Sequence, residues 1–539
     1  MTTLQTTVDA IPASEPLPPP VTPVAPAVSA KTWLAVIGAT LGAFMAVLNI
    51  QIVNASLADI QGGIGAGIDD GGWISTSYLI AEIVVIPLSG WLSQVFSVRI
   101  YLLTNAFLFL VFSAACAMAQ DLSQMIALRA VQGFTGGVLI PMAFTLIITL
   151  LPKAKQPIGL AMFAISATFA PAIGPTIGGY LTENFGWEYI FYVNVVPGAI
   201  MIAMLFFSLE AKPMKLSLLA EGDWAGIITM AIGLAALQTV LEEGNKDDWF
   251  GSPFIVRLAA IAAIALPLFV AIELTGRKPL LNLRILFRRN FGFGVLANFL
   301  LGVSLYGSVY ILPVYLSRIQ GYNSEQIGMV LAWTGLPQLL LIPLVPRLMQ
   351  RFDPRLVIGI GFVLFGGSNF MNIYMTNDYA ADQLFWPNVI RAFGQALVFA
   401  PLSSVATAGM EAENAGSASA LFNMMRNLGG AIGIAALQTL LTKREQYHSD
   451  VLSQQVTLFE QATRTRLDQL TQYFMSHGVI DRVDAVHHAY VAIGHIIQKQ
   501  AFILGFSDTF YLLGVSQIVA LIAALMLTKP DRLDGGGTH

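Results

Sequence analysis

Charged side chains inside long hydrophobic segments are the residues of this sequence most able to do chemistry. Glu82 lies among Tyr78, Ile80, Val84 and Pro87, and a rise of about 1.5 Å per residue places it roughly 16 Å inside its segment. An ionised carboxylate at that depth in a bilayer is costly, and such groups usually serve a function. Because burial favours the neutral form, we expect Glu82 to bind and release protons. A glutamate that only joins two helices is the alternative.

Arg129 is a second charged residue within a hydrophobic segment, about five residues or roughly 8 Å inside it. Asn49 lies at a similar depth in the first segment, so we expect the two side chains to hydrogen-bond without forming an ion pair. If Arg129 also reaches Glu82, its charge would favour the carboxylate, and proton release would require the two groups to separate. The alternative is that Arg129 only ties helices together.

Two further arginines and several aromatic residues are candidates for substrate contact. Arg391 lies in a segment that repeats the pattern around Arg129, and Arg426 precedes a run of glycines. Either arginine could bind an anionic substrate, or could anchor helices and lipid headgroups. The aromatic residues suit a hydrophobic substrate, although such residues usually face lipid or core; they are Tyr78, Phe134, Tyr306, Tyr310 and Trp333.

The composition defines the class of protein that positions these residues. The chain has 539 residues, of which 55% are hydrophobic and 11% charged, and its mean hydropathy is +0.68. Soluble proteins carry about a quarter of charged residues, so this is a polytopic membrane protein. The net charge of -4 gives no indication of nucleic-acid binding. Phosphate-loop, haem and iron–sulfur motifs are absent, which favours a secondary transporter or channel without cofactor over an enzyme or an ATP-driven pump.

Hydrophobic runs of spanning length predict about fourteen transmembrane helices. The runs begin near Trp33, Gly72, Arg99, Gln124, Pro157, Tyr189, Asp223, Pro253, Asn290, Glu325, Arg355, Leu384, Ser417 and Ser507. Basic residues fall in alternate connections, and the others are acidic or neutral; only the connection after the twelfth run, with Glu411 and Glu413, breaks this pattern. By the positive-inside rule, the basic connections and both termini are predicted to be cytoplasmic.

Two segments outside the hydrophobic runs stand out. Residues 1–30 are rich in proline and threonine, which predicts a disordered cytoplasmic tail. Residues 443–500 form a long polar connection, predicted to be periplasmic, with helical spacing from Gln461 to Phe474. Five of the six histidines lie there, but solvated helix faces explain them better than a metal site does. A docking surface for a partner is the other interpretation of this segment.

A segment rich in glycine and proline, Ala170 to Tyr180, lies inside another predicted span. Membrane helices tolerate these residues where neighbouring helices approach closely. We therefore expect this helix to bend, or to pack backbone against backbone, around Gly174, Pro175, Gly178 and Gly179.

This segment carries a resemblance to a known family. Gly174 to Gly179 resembles the antiporter motif in the fifth helix of drug exporters of the major facilitator superfamily, and Arg129 to Gly133, including Gln132, resembles their fourth-helix motif. Trp187 and the sequence of residues 191–197 strengthen the likeness. Together with the span number and the long polar connection, they resemble the fourteen-helix drug:H⁺ antiporters of the EmrB/QacA type.

The resemblance implies an all-α membrane fold of two six-helix bundles, at residues 31–210 and 286–530, with an inserted helix pair at residues 211–285 and a short tail at 531–539. It implies proton-coupled efflux of hydrophobic or amphipathic toxicants across the bacterial inner membrane. Members that belong to tripartite pumps are most similar, which implies a periplasmic membrane-fusion adaptor and an outer-membrane channel as partners. An ion-coupled porter for a siderophore, organic acid or lipid, and a scaffold or sensor that has lost transport, stay open as alternatives.

Two departures from the family pattern bear on mechanism. The connection from Gly90 to Arg99 keeps little of the charged motif usual between the second and third helices. The first helix of the family usually carries an aspartate that binds protons, and here Leu48 to Asn54 places Asn49 at that position. Asn49 cannot titrate, so we expect the proton function to move to Glu82.

Overall fold

The structure is a computed structural model that describes residues 28–67, 70–276 and 279–529. Across these ranges the chain is helical and contains no β-strand. Most of the predicted amino-terminal tail and all of the predicted carboxy-terminal tail lie outside the described residues.

Long helices account for most of the fold. In chain order they are α1 (Ala30–Ala55), α2 (Trp73–Val95), α3 (Val98–Cys116), α4 (Leu122–Leu150), α5 (Gln156–Phe185), α6 (Tyr189–Ser208), α7 (Trp224–Glu243), α8 (Pro253–Thr275), α9 (Arg289–Gln320), α10 (Ser324–Arg351), α11 (Pro354–Tyr374), α12 (Ala381–Thr407), α13 (Ala415–Gln455), α14 (Gln461–Ser476) and α15 (Arg482–Leu525).

Thirteen helices in the described part of the chain, α1–α12 and α15, are long and apolar enough to cross a membrane. The span predicted from Ser417 lies in α13, which is more polar because it contains Asn423, Arg426 and Asn427. Nevertheless α13 packs among the apolar helices, against α2, α9 and α15. Its polar residues are therefore held inside the bundle. Sequence hydropathy alone does not identify such a helix as one that packs among membrane spans.

The long polar connection at residues 443–500 is largely helical. It consists of the continuation of α13, the separate α14 and the first part of α15, and we call it the helical extension. The predicted helical stretch from Gln461 to Phe474 is confirmed by α14. At its base, Asp508 accepts hydrogen bonds from Arg444 and His448, at 2.5 and 2.8 Å. We call the side of the membrane that carries the helical extension the extension side.

Helix α5 is irregular before the glycine motif. Residues Ile165–Phe169 form a π-helical turn, and the α-helix then continues from Ala170 through Pro175 to Phe185. Pro171 has no N–H to donate to the preceding turn, and the wider π turn lies directly before it. Of the two expectations for the glycines, a bend or close packing of backbones, the structure shows close packing.

Candidate functional site

Asn49 and Arg129 meet in the interior between α1 and α4. The Nη1 atom of Arg129 donates a hydrogen bond of 2.7 Å to Oδ1 of Asn49, and both side chains are buried. This is the neutral contact that their matching depths predict. Nη1 also donates to Oε1 of Gln132 at 2.7 Å, and Nε donates to the Ile74 carbonyl at 3.3 Å.

Arg129 is further held by an aromatic ring and does not bond Glu82. Its guanidinium carbon lies 4.3 Å from the ring centroid of Tyr78, a separation typical of a cation–π contact. Within the described residues, its hydrogen bonds go to Asn49, Gln132 and Ile74. The direct contact with Glu82 that the sequence left open is therefore not made in this structure.

Glu82 on α2 instead contacts the other helix bundle. We call α1–α6 and α9–α15 the two halves of the protein. Its side chain is 2% exposed, and its Oε1 atom accepts a 3.1 Å hydrogen bond from Nδ2 of Asn427 on α13. Its Oε2 atom has no hydrogen-bond partner among the described residues. A buried carboxyl oxygen without a donor is costly when charged, and it is free to take up a proton.

Glu82 faces a small cavity of about 60 Å³. Helices from both halves and the inserted α7 contribute its polar residues, which are Gln51, Asn54, Glu82, Gln238, Glu242, Tyr306 and Asn427. Drug-sized ligands occupy pockets of about 300–1,000 Å³, whereas one water needs about 10–15 Å³. In this conformation the cavity can hold several waters but no drug-sized substrate.

Arg426 is a buried cation beside this cavity. Its side chain is fully buried, and its three guanidinium nitrogens have no hydrogen-bond partner among the described residues. The ring of Phe399 lies 5.3 Å from its guanidinium carbon, and the next residue of α13, Asn427, bonds Glu82. An unpaired buried guanidinium can bind a carboxylate or another anion.

Arg391, unlike Arg426, has a hydrogen-bond partner among the described residues. Its Nη2 atom donates to Oδ1 of Asn369 at 3.4 Å, while Nε lacks a partner in the described part of the chain. The ring of Phe510 lies 5.9 Å from the guanidinium carbon. This pairing with an asparagine on α11 parallels the pairing of Arg129 with Asn49.

The aromatic candidates occupy different environments. Tyr306 lines the cavity, and its hydroxyl lies 3.5 Å from Oδ1 of Asn427. Tyr310 lies one turn further along α9 and is partly buried. Phe134 and Trp333 are 39% and 43% exposed, and neither lines this cavity.

The glycine motif of α5 packs between α1 and α10. A Cβ atom at Gly174 would overlap the side chain of Gln51, and one at Gly178 would lie 2.9 Å from the Ile52 carbonyl oxygen. On the other face, a Cβ atom at Gly179 would lie 2.7 Å from the backbone of Ser324. These glycines, with buried Pro175 between them, allow helix backbones of both halves to touch at the extension side.

Hydrogen bonds also cross between the halves along their length. Near the extension side, Thr176 donates to the Gly328 carbonyl at 2.7 Å. Deeper in the bundle, Thr168 donates to Gln338 at 2.5 Å. Towards the opposite side, Ser419 donates to the Pro141 carbonyl at 2.7 Å. The halves therefore touch on both sides of Glu82, and the small cavity lies between these contacts.

Close packing also positions α4 and the end of α2. Gly133 lies so close to the Tyr78 backbone that a Cβ atom would overlap it, which fixes α4 against α2. The Trp91 ring makes an edge contact with Trp224 of α7, with centroids 5.8 Å apart. The end of α2 is thus held against α7 by an aromatic contact.

Sequence reasoning did not find Asn427, Gln238 and Glu242. Asn427 lies 345 residues after Glu82, and no spacing rule connects two positions that far apart. Glu242 lies near a helix end among other acidic residues, a pattern usual for a solvated terminus. A polar residue every fourth position near the end of α7, Gln238 then Glu242, is the signal that could have indicated a wetted helix face.

Comparison with known proteins agrees with this architecture. Residues 39–434 match the family model of the Major Facilitator Superfamily. The chain is 34% identical over 504 residues to colistin resistance protein EmrB of Acinetobacter baumannii, covering 93% of this chain and 97% of that protein. It is 29% identical to multidrug export protein EmrB of Escherichia coli K12, with 95% and 98% covered.

Two further comparisons extend the range of relatives. Fatty acid resistance protein FarB of Neisseria gonorrhoeae is 30% identical, with 93% of this chain and 96% of FarB covered. The crystal structure of the human organic anion transporter MFSD10 has a similar fold, with a TM-score of 0.57 at 14% identity and coverage of 92% and 99%. The chain belongs to the Major Facilitator Superfamily and is a multi-pass membrane transporter of the EmrB type.

Proposed function

We propose that this protein is a proton-coupled efflux antiporter of the bacterial inner membrane that exports hydrophobic or amphipathic toxicants. Relatives that match it over nearly their whole length are named for multidrug export, colistin resistance and fatty acid resistance. The observation that carries the coupling is the carboxyl group of Glu82, which is buried, bonds Asn427 of the other half and keeps one oxygen free.

The position of Glu82 between α2 and α13 supports a simple coupling mechanism. When the carboxylate is charged, it attracts the Asn427 amide and the guanidinium of Arg426, both on α13, because charge-assisted contacts in a low dielectric are strong. Protonation removes that charge and weakens the attraction between the halves. A proton can therefore bias the equilibrium between closed and open arrangements. Arg129 bonds the neutral Asn49 in this scheme and does not bind the proton.

The orientation follows from the distribution of basic residues. The positive-inside rule places the termini in the cytoplasm and the helical extension in the periplasm. The extension presents large apolar side chains to solvent, with Phe459 94% and Ile480 96% exposed, and such surfaces are typical of binding sites for other proteins. These observations support a periplasmic adaptor, and through it an outer-membrane channel, as partners.

One observation favours a second candidate function, the transport of a physiological organic acid. The three unpartnered nitrogens of Arg426 are suited to an anionic group. Under either function the substrate site must form in a conformation that is more open than this one, because the cavity here is about 60 Å³. We propose Arg426, Arg391 and Tyr306 as the contacts for a substrate that combines an apolar body with an acidic group, with Tyr78, Tyr310, Phe134 and Trp333 as less central aromatic candidates.

The test uses the full-length protein in lipid vesicles with an imposed pH gradient. A panel of amphipathic toxicants and simple organic acids is offered to the wild type, to Glu82→Gln, and to Glu325→Gln, which changes an exposed carboxylate at the start of α10. We expect the gradient to drive toxicant flux in the wild type and the control, and to have no effect on Glu82→Gln. Gradient-driven flux in Glu82→Gln would refute the coupling role. Flux of acids alone would support the second function, and no flux from any protein would indicate a scaffold.

A further inference from the structure

The last two turns of α7 place two polar side chains on the wall of the Glu82 cavity. Gln238 and Glu242 lie one turn apart, and Nε2 of Gln238 donates a 2.9 Å hydrogen bond to Oε1 of Glu242. Both residues line the cavity together with Glu82. Helix α7 packs against α2, which carries Glu82, and against α13, which carries Asn427. The inserted helix pair thus contributes directly to this compartment.

Exposure falls stepwise along the polar residues of the cavity. Asn54, at the extension-side end of α1, is exposed, and Glu242 is partly exposed. Gln238 and Glu82 are 3% and 2% exposed. This order describes a polar path that leads from the extension side of the membrane to the buried carboxyl group.

The dimensions of the path suit a short chain of water molecules. Glu82 lies nine residues from the start of α2 at Trp73, and Glu242 lies one residue from the end of α7, so their depths differ by about 12 Å at 1.5 Å per residue. At about 2.8 Å per hydrogen bond, roughly four waters cover that distance. The cavity of about 60 Å³ has room for about four to six, at 10–15 Å³ each.

The charged groups that line the path favour a cation. The lining contains two carboxyl groups, Glu82 and Glu242, and no lysine or arginine among the described residues. Outside the lining, Glu243 on the same helix acts on Glu242, and the guanidinium of Arg426 on α13 acts on Glu82 at the inner end. When charged, the lining carboxyl groups raise the local concentration of protons, as a cation route requires.

The second carboxylate of α7, Glu243, has a different environment. It is 3% exposed, accepts a 2.9 Å hydrogen bond from Thr76 and pairs with Lys246 at 3.3 Å. It does not line the cavity. Adjacent residues of the same type therefore serve different purposes, Glu243 by bonding α7 to α2 and Glu242 by facing the path.

We propose that Glu242 is a proton-binding residue that collects protons at the extension side and passes them through cavity water, along the wall formed by Gln238, to Glu82. The unpartnered Oε2 atom of Glu82, buried in the same compartment, is the acceptor at the inner end. This inference rests on the proposed proton coupling, and it gives the inserted helix pair a function in that coupling. Each water of the chain accepts one proton and donates another, so that one proton leaves Glu242 and one arrives at Glu82, while Gln238 remains a neutral hydrogen-bonding side chain.

The experiment measures substrate-driven proton flux in vesicles with the full-length protein and a pH-sensitive dye. The variants are Glu242→Gln, which keeps size and hydrogen bonding, and the control Glu325→Gln, which changes an exposed carboxylate outside the cavity. At neutral pH on the extension side, we expect Glu242→Gln to slow proton flux about tenfold, which corresponds to about 1.4 kcal/mol in the barrier. Glu325→Gln should retain the wild-type proton flux per folded molecule, as judged by thermal unfolding in detergent.

A second measurement separates proton delivery from a general defect. Acidification of the extension side supplies protons directly to the cavity, so the deficit of Glu242→Gln should shrink as that pH falls. Wild-type flux in Glu242→Gln, or a deficit that stays constant with pH, would overturn the inference. If Glu82→Gln abolishes coupling while Glu242→Gln does not, only the delivery route fails. If Glu82→Gln remains coupled, the proposed function itself fails.

Discussion

The contact between α5 and α10 predicts that one methyl group at Gly179 will open the protein at the extension side. In the closed structure, a Cβ atom at Gly179 would lie 2.7 Å from the carbonyl carbon and oxygen of Ser324. Backbone atoms cannot rotate away, so the two helices must separate. Overpacking of this kind costs about 1–3 kcal/mol. Because the cost falls only on the closed state, the ratio of open to closed molecules should rise by about 5- to 150-fold.

The assay is a distance measurement between two spin labels across the contact. Glu183 on α5 and Glu325 on α10 are exposed positions for labelled cysteines, and the one native cysteine, buried Cys116, is replaced by alanine. Gly179→Ala should shift the distance distribution to longer values without substrate. Gly367→Ala on α11 is the control, because a Cβ atom there meets nothing within 4 Å.

A neighbouring substitution sharpens the test. At Gly178, a Cβ atom would lie 2.9 Å from the Ile52 carbonyl oxygen, which belongs to the same half as α5. Gly178→Ala should therefore lower the melting temperature without favouring the open state. The reasoning is refuted if Gly179→Ala leaves the distances unchanged, or if Gly178→Ala and Gly179→Ala lengthen them equally.

Two further predictions concern charged groups. Asn49→Asp places a carboxylate beside Nη1 of Arg129, which lies 2.7 Å from the asparagine oxygen in the wild type. In the Glu82→Gln background, this second change should restore part of the gradient-driven flux in vesicles. No recovery in a folded double mutant would show that positions 49 and 82 are not interchangeable. Hydrogen bonds from Arg355 hold the pKa of Asp353 below its usual range, so Asp353→Asn should destabilise the protein by up to about 1 kcal/mol at neutral pH. Folding favours the charged form of Asp353, so the stability difference between the wild type and Asp353→Asn should disappear in thermal unfolding scans as the pH falls below about 4. A stability difference that persists at that pH would contradict the stabilising role of the charged Asp353.

Depth along single helices could be predicted from the sequence, and contacts between distant helices could not. Counting residues from the ends of two hydrophobic runs placed Asn49 and Arg129 at one level, and their hydrogen bond is present. The contact between Glu82 and Asn427 depends on how α2 and α13 are rotated about their own axes. Rotation is determined by the packing of whole helix faces, and a hydropathy profile carries no information about it.

The polar helices show a second limit of sequence reasoning. Hydropathy identifies lipid-facing helices well, because lipid tolerates few polar groups. It undervalues α13, whose Asn423 and Arg426 are buried against other helices. It also marks the 443–500 segment as a loop, although most of that segment is helical. In both cases the helix is stabilised by protein contacts, and composition reports only on contacts with solvent or lipid.

The replacement of a titratable residue by Asn49 has a physical consequence for the whole proton route. Arg129 donates to three neutral acceptors, Asn49, Gln132 and the Ile74 carbonyl, and so is held in place without a hydrogen-bonded carboxylate. The negative charge near the centre of the bundle then belongs to Glu82, which lies on the interface with α13 and not inside one half. A carboxyl group at that interface changes the attraction between the halves each time it gains or loses a proton. A carboxyl group at position 49 would act on that interface only through other helices, so its absence makes the link between protonation and opening more direct.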